Sequence, residues 1–250
     1  MGLKRKEHAK IYKLIGAVLF LTLWTFLAEV TLKGKYVLLN PFETLLSIMK
    51  LGKEREFWLA FFQTVESSFV SFLVAFTIAF SLSVLAHRFY NLRHILAPLI
   101  TTFRSAPTIA VILILLMTIP WGLLTFCIAF LVTFPLLFSN ILASIESVPC
   151  GELEAGRSLG MRFLQRTRFV YVPNMRVHLW ANITAAFGLN LKVVIAAEVL
   201  GIPSVSIGFE IMRHKQMLDY QTSFTYLCVA VLLAWGCDKL LKAIGKRFKI

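Results

Sequence analysis

Long apolar runs alternate with short polar segments along the chain, a pattern typical of membrane-spanning helices. A helix needs ~20 mostly apolar residues to cross the hydrocarbon core of a bilayer. The runs predict six transmembrane helices, at about residues 11–32, 59–86, 95–119, 121–143, 179–200 and 221–241. Ile119-Pro120 separates the third run from the fourth, because proline cannot continue a helix. We therefore expect an all-α integral membrane protein, with both termini on one side.

The segments between the runs are too polar or too short to cross. Asn40-Pro41 is a turn signal, and the amphipathic stretch FETLLSIMKL that follows it is expected to lie at the membrane interface. Residues 144–178 are polar and basic, and residues 201–220 are expected to form a connection. Residues 1–250 are thus predicted to be a single transmembrane domain.

Composition supports a membrane protein without a separate soluble domain. The chain has 250 residues, of which 58% are hydrophobic, with 22 Phe and a mean hydropathy of +0.76. Its four cysteines include no C-x-x-C pair, and three lie in apolar runs where cysteine behaves as a small hydrophobic residue. We expect no disulfide, no metal site and no catalytic residue among them.

The charge pattern predicts the orientation. The net charge is +13, but the charges lie between apolar runs, which argues against nucleic-acid binding. The side that holds both termini, the 87–94 turn and residues 144–178 carries seventeen Lys and Arg residues, against seven on the other side. The positive-inside rule then places the termini and the 144–178 segment in the cytoplasm. Binding to anionic membrane lipid is a further interpretation of the basic charge.

The 144–178 segment contains the most specific motif. Its acidic residues precede its basic ones, which suits the dipole of a helix over residues 152–166. Glu154-Ala155-Gly156, then Gly160, then Val170-Tyr171-Val172-Pro173 resemble the signature of the integral membrane subunits of ATP-binding-cassette (ABC) importers. Glycine replaces the second alanine of that signature, and valine replaces its isoleucine and leucine.

Two further stretches strengthen the resemblance. Phe103-Arg104-Ser105-Ala106-Pro107 resembles the R-x-x-P element of these subunits. The stretch 194–201, VIAAEVLG, resembles the V-x-A-A-E-M-L-G of the branch that carries sulfonates, taurine, nitrate and vitamin precursors. Gly208 then marks a possible re-entrant element facing a binding protein, a hypothesis that rests on the Gly/Pro spacing and on the family.

The resemblance implies a type I ABC importer permease fold and its partners. Residues 152–166 would be a coupling helix that docks on a cytoplasmic ABC ATPase, present in two copies. An extracytoplasmic solute-binding protein, a second permease copy in a homodimer, membrane lipid and a bacterial plasma (inner) membrane location are also implied. The residues expected to couple to the ATPase are Glu152, Glu154, Ala155, Gly156, Arg157, Ser158, Leu159, Gly160, Met161 and Pro173.

No enzymatic activity and no cofactor are expected in this chain. It lacks G-x-x-x-x-G-K-[ST], so ATP and Mg²⁺ are expected to bind the partner ATPase. It also lacks H-E-x-x-H and G-x-S-x-G, which argues against a membrane-embedded enzyme.

The expected solute is small and polar or anionic, such as a sulfonate, taurine, nitrate or a thiamine or riboflavin precursor. The alternative is an ATP-independent carrier or channel.

Polar groups inside the predicted spans are candidates for the translocation path, because ionisable side chains are costly in lipid. They are Glu66, Arg104, Asn190, Lys192 and Glu198. Glu66 could instead form structural hydrogen bonds, and Arg104 could serve structure or gating. Lys192 could meet an anionic solute or pair with Glu66 or Glu198. Asn190, like Asn182, could line the path or bond between helices.

Overall fold

The computed structural model describes residues 2–31, 40–201 and 205–247, which are almost entirely helical and include no strand. The helices are α1 (Gly2–Thr31), α2 (Pro41–Leu51), α3 (Arg55–Arg88), α4 (Tyr90–Ser105), α5 (Thr108–Thr118), α6 (Trp121–Glu146), α7 (Cys150–Ser158), α8 (Phe163–Arg166), a π-helix (Thr167–Tyr171), α9 (Val172–Gly201), α10 (Ile207–Gln216) and α11 (Tyr220–Arg247). The predicted all-α membrane fold is confirmed.

The centre of the bundle is built from α3, α6 and α9, because α3 carries a stripe of small side chains on its buried face. Small residues allow helix backbones in a membrane protein to approach closely. The stripe recurs every three or four residues and consists of Ala60, Thr64, Ser68, Ser71, Ala75, Ala79, Ser83 and Ala86. Large buried side chains such as Leu137 and Ile141 of α6 fill the space opposite. Leu191 of α9 and Tyr226 of α11 extend the core to α11.

The antiparallel order of the helices gives the bundle two distinct ends. At one end, which we call the α7 end, His87 of α3 lies against Tyr171 of the π-helix. At the other, the α10 end, Phe57 of α3 lies against Tyr226 of α11. The amphipathic helix α2 lies at the α10 end and begins with Pro41, where the backbone N–H of Asn40 bonds to the Glu43 carboxylate.

Length and composition single out three helical segments that could each cross a membrane: Arg55–Arg88, Gly122–Glu146 and Leu164–Gly201. The bent pair α4 and α5 would make a fourth. The apolar part of α1, Ile15–Ala28, is shorter, and charged residues occupy the second half of α11. By these criteria, fewer of the described helices qualify as spans than the six that were predicted. The number of spans therefore stays a prediction.

The predicted span at 95–119 is not a single straight helix, and whether it crosses the membrane stays a prediction. The chain breaks between α4 and α5, whose axes differ by 98°. Pro107 has no backbone N–H to donate and disfavours a helical conformation at Ala106, which is extended with φ −66° and ψ 131°. The predicted break before α6 is confirmed, because α5 ends at Thr118 and α6 begins at Trp121.

Both polar connections contain more helix than expected. Residues 144–178 include α7, α8, the π-helix and the start of α9, which begins seven residues before the predicted span at 179. Residues 201–220 include α10, which Ser206 caps by accepting a hydrogen bond from the N–H of Phe209 at 3.0 Å. Pro203, part of the Gly/Pro signal in this connection, lies outside the described residues.

Candidate functional site

The motif segment folds into a short helix, α7, that ends at a glycine turn. Gly160 has φ +68°, a left-handed conformation that favours glycine. The N–H of Gly160 bonds to the carbonyl of Arg157 at 2.9 Å, and the N–H of Met161 bonds to that of Gly156 at 3.0 Å. These two bonds form a Schellman motif, which satisfies the carbonyl groups left open at a helix end.

The predicted helix over residues 152–166 is therefore wrong. The chain leaves the helix after Ser158, turns at Gly160, and starts α8 at Phe163. The order of acidic and basic residues along the segment suits a helix dipole, but it does not determine where the helix ends. The end is set by Gly160, because glycine readily adopts the left-handed conformation that stops a helix.

Gly156 is buried because two side chains from beyond the turn fold over it. A Cβ added there would lie 3.5 Å from Cγ of Arg166 and 3.5 Å from Sδ of Met161, which is ordinary van der Waals contact. Alanine, the residue of the family signature, would thus fit at this position. Nε of Arg166 is buried and has no hydrogen-bond partner within the described part of the chain.

The outer side of α7 and the turn after it form an exposed surface, which we call the coupling surface. Its most exposed large apolar side chains are Leu159, at 74%, and Leu164, at 78%. Sequence reasoning named Leu159 and omitted Leu164, although two leucines flanking a glycine turn were a visible signal. The other exposed members are Glu154, Ala155, Arg157, Ser158 and Gly160, while Met161 is half-buried.

α7 is attached to the start of α9 by a side-chain hydrogen bond. Nδ2 of Asn174 donates to the Glu152 carboxylate at 2.5 Å and to the carbonyl of Val170 at 2.9 Å. Pro173 lies exposed in the first turn of α9, directly after the π-helix. Asn174, a residue that the motif did not indicate, thus links α7 to the first turn of α9.

Asn190 lies at the centre of the bundle and joins three helices. Its side chain is fully buried, and its Nδ2 donates to Ser71 Oγ of α3 at 3.3 Å and to Thr133 Oγ1 of α6 at 3.1 Å. The sequence left two roles open for Asn190, bonding between helices and lining the path. These hydrogen bonds show that Asn190 bonds between helices.

Glu198 is also buried, at the junction of α3, α9 and α10. It accepts hydrogen bonds from Thr64 Oγ1 at 2.8 Å and from the N–H of Gly208 at 3.3 Å. Thr64 Oγ1 in turn accepts from the N–H of Ile207 at 3.0 Å. The first turn of α10 is pressed so closely on α9 that a Cβ at Gly208 would lie 2.4 Å from Cβ of Glu198.

Lys192 and Glu66 are exposed on different helices of the bundle. Both side chains are exposed on the surface of the single protomer, although buried residues lie next to Lys192 along α9. Within the described residues, Lys192 forms no ion pair with Glu66 or with Glu198, the two pairings that the sequence left open.

Arg104 lines a polar cavity of about 280 Å³ between α4 and α6. Arg93 and Glu146 form an ion pair across the same cavity. The five candidates for the path are thus not brought together: Asn190 and Glu198 are buried, Arg104 faces this cavity, and Glu66 and Lys192 lie on exposed faces.

Sequence reasoning missed a charged cluster at the α10 end. The buried Glu210 carboxylate contacts Arg213 Nη1 at 3.3 Å and His214 Nε2 at 3.5 Å, and His214 Nδ1 lies 3.2 Å from Asp219. Partial burial acts to raise the pKa of Asp219, but hydrogen bonds from Thr222 and the adjacent His214 outweigh it and leave the pKa below its usual value. The available signal in the sequence was that these charged partners lie three to five residues apart, on α10 and just after it.

No group of three His, Cys, Asp or Glu side chains in the described ranges is arranged to hold a metal ion.

Comparison with known sequences gives two informative relatives. The chain is 31% identical over 102 residues to the osmoprotectant import permease protein OsmW of Salmonella typhimurium, which covers 41% of this chain and 46% of that protein. It is 22% identical over 201 residues to the probable glutamine ABC transporter permease protein GlnP of Bacillus subtilis, covering 77% of this chain and 92% of that protein. The expected sulfonate, taurine and nitrate branch receives no support from these relatives.

Solved structures show the same fold. A crystal structure of an amino acid ABC transporter with histidines matches with a TM-score of 0.68 and 19% identity, over 81% of this chain and 97% of the matched chain. An inward-facing MetNI methionine ABC transporter matches with a TM-score of 0.59 and 16% identity, over 75% and 96% of the two chains. The family model described as "Binding-protein-dependent transport system inner membrane component" matches residues 73–249. The chain therefore belongs to this family, as a multi-pass inner-membrane permease component of an ABC importer.

Proposed function

We propose that the chain forms the translocation path of the importer and couples it to a cytoplasmic ABC ATPase through the coupling surface. The observation that carries the proposal is the geometry of α7, which ends in a Schellman turn and leaves Glu154, Leu159 and Leu164 exposed at one end of the bundle. Exposed leucines beside polar groups are typical of a surface that docks a protein partner. The excess of basic residues at this end supports a cytoplasmic location.

Movement of the ATPase subunits would reach the membrane helices through α9. The Glu152–Asn174 hydrogen bond joins α7 to the first turn of α9, and Asn190 joins the middle of α9 to α3 and α6. ATP-driven closure of two ATPase copies, which hold ATP and Mg²⁺, would move two such bundles between inward-open and outward-open states.

A second copy of the chain would complete the path. The exposed face of α9 combines small residues with Lys192 at membrane depth. Since a charged side chain in a membrane segment faces protein or water rather than lipid, this face would meet a second permease copy or the path between copies. Arg104 and Glu66 remain path candidates on the same grounds. At the opposite end, the charged residues of α10 would face an extracytoplasmic solute-binding protein.

The proposed solute is a small polar molecule of the amino-acid or osmoprotectant kind. The names of OsmW and GlnP, and the amino acid and methionine transporters of like fold, support this choice. A sulfonate, taurine, nitrate or vitamin precursor, expected from the 194–201 stretch, has no comparable support. No observation favours an ATP-independent carrier or channel.

The test is copurification of an ATPase with the tagged chain from native membranes, in nanodiscs, followed by ATP hydrolysis. The wild type should retain the ATPase, and Glu154→Lys and Gly160→Asp should lose it or uncouple its hydrolysis from solute uptake. Glu56→Lys is the matched control, because it reverses a charge at the α10 end and should retain the ATPase. A folded wild type that holds no ATPase, with solute movement in vesicles that needs no ATP, would instead support a carrier.

A further inference from the structure

A cavity of about 220 Å³ opens at the α7 end, between the last turns of α3 and the first turns of α9. Its depth is apolar, formed by Phe80 and Val84 of α3, Ile145 of α6, and Met175 and Leu179 of α9. This position is close to where the membrane-spanning part of both helices ends. We propose that the cavity binds an anionic phospholipid of the leaflet at the α7 end, with the acyl chain inside and the phosphate at the rim.

The rim has the charge that a phosphodiester requires. His87, Thr167, Tyr171 and Arg176 form it, and no acidic side chain lines the cavity. Arg176 is exposed and forms no ion pair within the described part of the chain, while His87 Nε2 lies 3.5 Å from the Tyr171 hydroxyl. An arginine guanidinium and hydroxyl donors are the groups that bind phosphate oxygens. A neutral apolar occupant would fill the apolar depth but form no ionic contact with the Arg176 guanidinium.

The apolar side chains along α3 and α9, which we call the apolar seam, extend far enough to accommodate an acyl chain. Phe76 lies one turn beyond Phe80 on α3 and packs on the apolar core, and Phe72, Ile183 and Phe187 line a second apolar cavity of about 630 Å³ between α3, α9 and α11. Helices rise 1.5 Å per residue, so the distance from His87 to Phe76 is about 16 Å. One leaflet of the hydrocarbon core has a thickness of about 15 Å. A phosphate at His87 and Arg176 therefore allows the acyl chain to follow the seam to the middle of the bilayer.

A lipid bound in the cavity would affect the coupling of α7 to α9, because two of the rim residues belong to the π-helix between them. π-helical turns are rare and occur often at functional sites. Thr167 and Tyr171 lie in the segment that links the coupling surface to α9, next to the Glu152–Asn174 hydrogen bond. A bound phospholipid would thus hold the connection through which α7 moves α9. This regulatory consequence rests on the proposed function, whereas the binding itself does not.

Native mass spectrometry of the full chain, released from nanodiscs, tests the proposal with phosphatidylglycerol and phosphatidylcholine of identical acyl chains. The wild type should retain phosphatidylglycerol preferentially. Arg176→Gln should reduce that preference by about fivefold, the factor expected for one basic contact with an anionic lipid. Arg168→Gln is the matched control, since Arg168 lies over the Phe169 ring and does not line the cavity, and it should leave the preference unchanged.

A second variant tests the apolar part separately. Val84→Trp should fill the cavity and reduce retention of phosphatidylglycerol without altering any charge. Equal retention of both lipids by the wild type, or equal effects of Arg176→Gln and Arg168→Gln, would overturn the proposal. Dissociation of a dimer by Val84→Trp in the same spectra would assign the cavity to a contact between copies instead. None of these readouts needs the ATPase, so failure here and failure of the copurification test are distinguishable.

Discussion

At the scale of single residues, two glycines four positions apart in the motif have different requirements. Gly160 needs its left-handed conformation, whereas Gly156 is helical and has room for a Cβ. The motif alone does not separate them, since both are simply glycines in a polar helix. The distinction comes from the turn geometry, which places one glycine after the last turn of α7 and the other within it.

We predict opposite effects for alanine at these two positions. Gly156→Ala should stabilise α7 by about 0.5–1 kcal/mol, because alanine loses less backbone entropy in a helix. Gly160→Ala should destabilise it by about 1–2 kcal/mol, the cost of a left-handed conformation for a residue with a Cβ. Hydrogen exchange of the α7 amides measures both changes. Gly160→Asn is the control and should cost less, since asparagine tolerates this conformation.

Gly208 should tolerate no side chain at all. An added Cβ would lie 2.7 Å from the Val199 nitrogen and 2.8 Å from the Ile195 carbonyl oxygen, both backbone atoms that cannot move aside. Gly208→Ala should therefore lower stability by about 1–3 kcal/mol, as overpacking typically does. Gly236→Ala, whose Cβ meets nothing within 4 Å inside α11, should not lower the melting temperature in detergent. Equal melting temperatures for both variants would contradict the close packing of α10.

At the scale of helices, one carboxylate ties the first turn of α10 to α3 and α9. Glu198 holds the first turn of α10 through Thr64 and the Gly208 N–H. Glu198→Ala should speed hydrogen exchange at Ile207 and Gly208, because unpaired buried donors cost about 1–3 kcal/mol. Glu198→Gln keeps an acceptor oxygen and should exchange nearly as slowly as wild type. If Glu198→Gln abolished uptake while exchange stayed slow, the charge of Glu198 would be needed for transport in addition to its bonds to α10.

The sequence predicted helices better than it predicted their ends. The apolar runs located α3 and α6 closely, because burial in lipid and in the core requires the same apolar residues. Missing from the pattern were the break at Ala106-Pro107, the stop at Ser158 and the existence of α10. Each depends on local backbone geometry or on contacts between distant segments, such as Glu198 with Gly208, which hydrophobic periodicity does not contain.

At the scale of the whole molecule, the family was readable from the motif, but the arrangement of the polar groups was not. Hydropathy marked Asn190, Lys192 and Glu198 as unusual in one helix. Their faces differ, so that Asn190 and Glu198 turn into the bundle while Lys192 turns outward. Which of two residues on one helix is buried depends on the neighbouring helices, α3 and α6, and those contacts are set only by folding.

The orientation of the bundle can be tested with a native cysteine. Cys150 is exposed at the start of α7, whereas Cys127 of α6 and Cys228 and Cys237 of α11 are partly buried. A membrane-impermeant maleimide should label Cys150 in inside-out vesicles and not in intact spheroplasts. Cys150→Ser should abolish this labelling. Labelling of intact spheroplasts that Cys150→Ser removes would reverse the proposed orientation.

The 98° bend between α4 and α5 constrains how the protomer is rotated about the membrane normal. Every helix start leaves amide hydrogens without partners in its own helix, and α5 has no side-chain cap at Pro107 to bind those of Thr108, Ile109 and Ala110. Hydrocarbon offers such amides no hydrogen-bond acceptor, so irregular backbone at membrane depth is stable only beside protein or water. We therefore expect the side of the molecule that carries this bend to face protein or water, which leaves the opposite perimeter as the surface in contact with lipid.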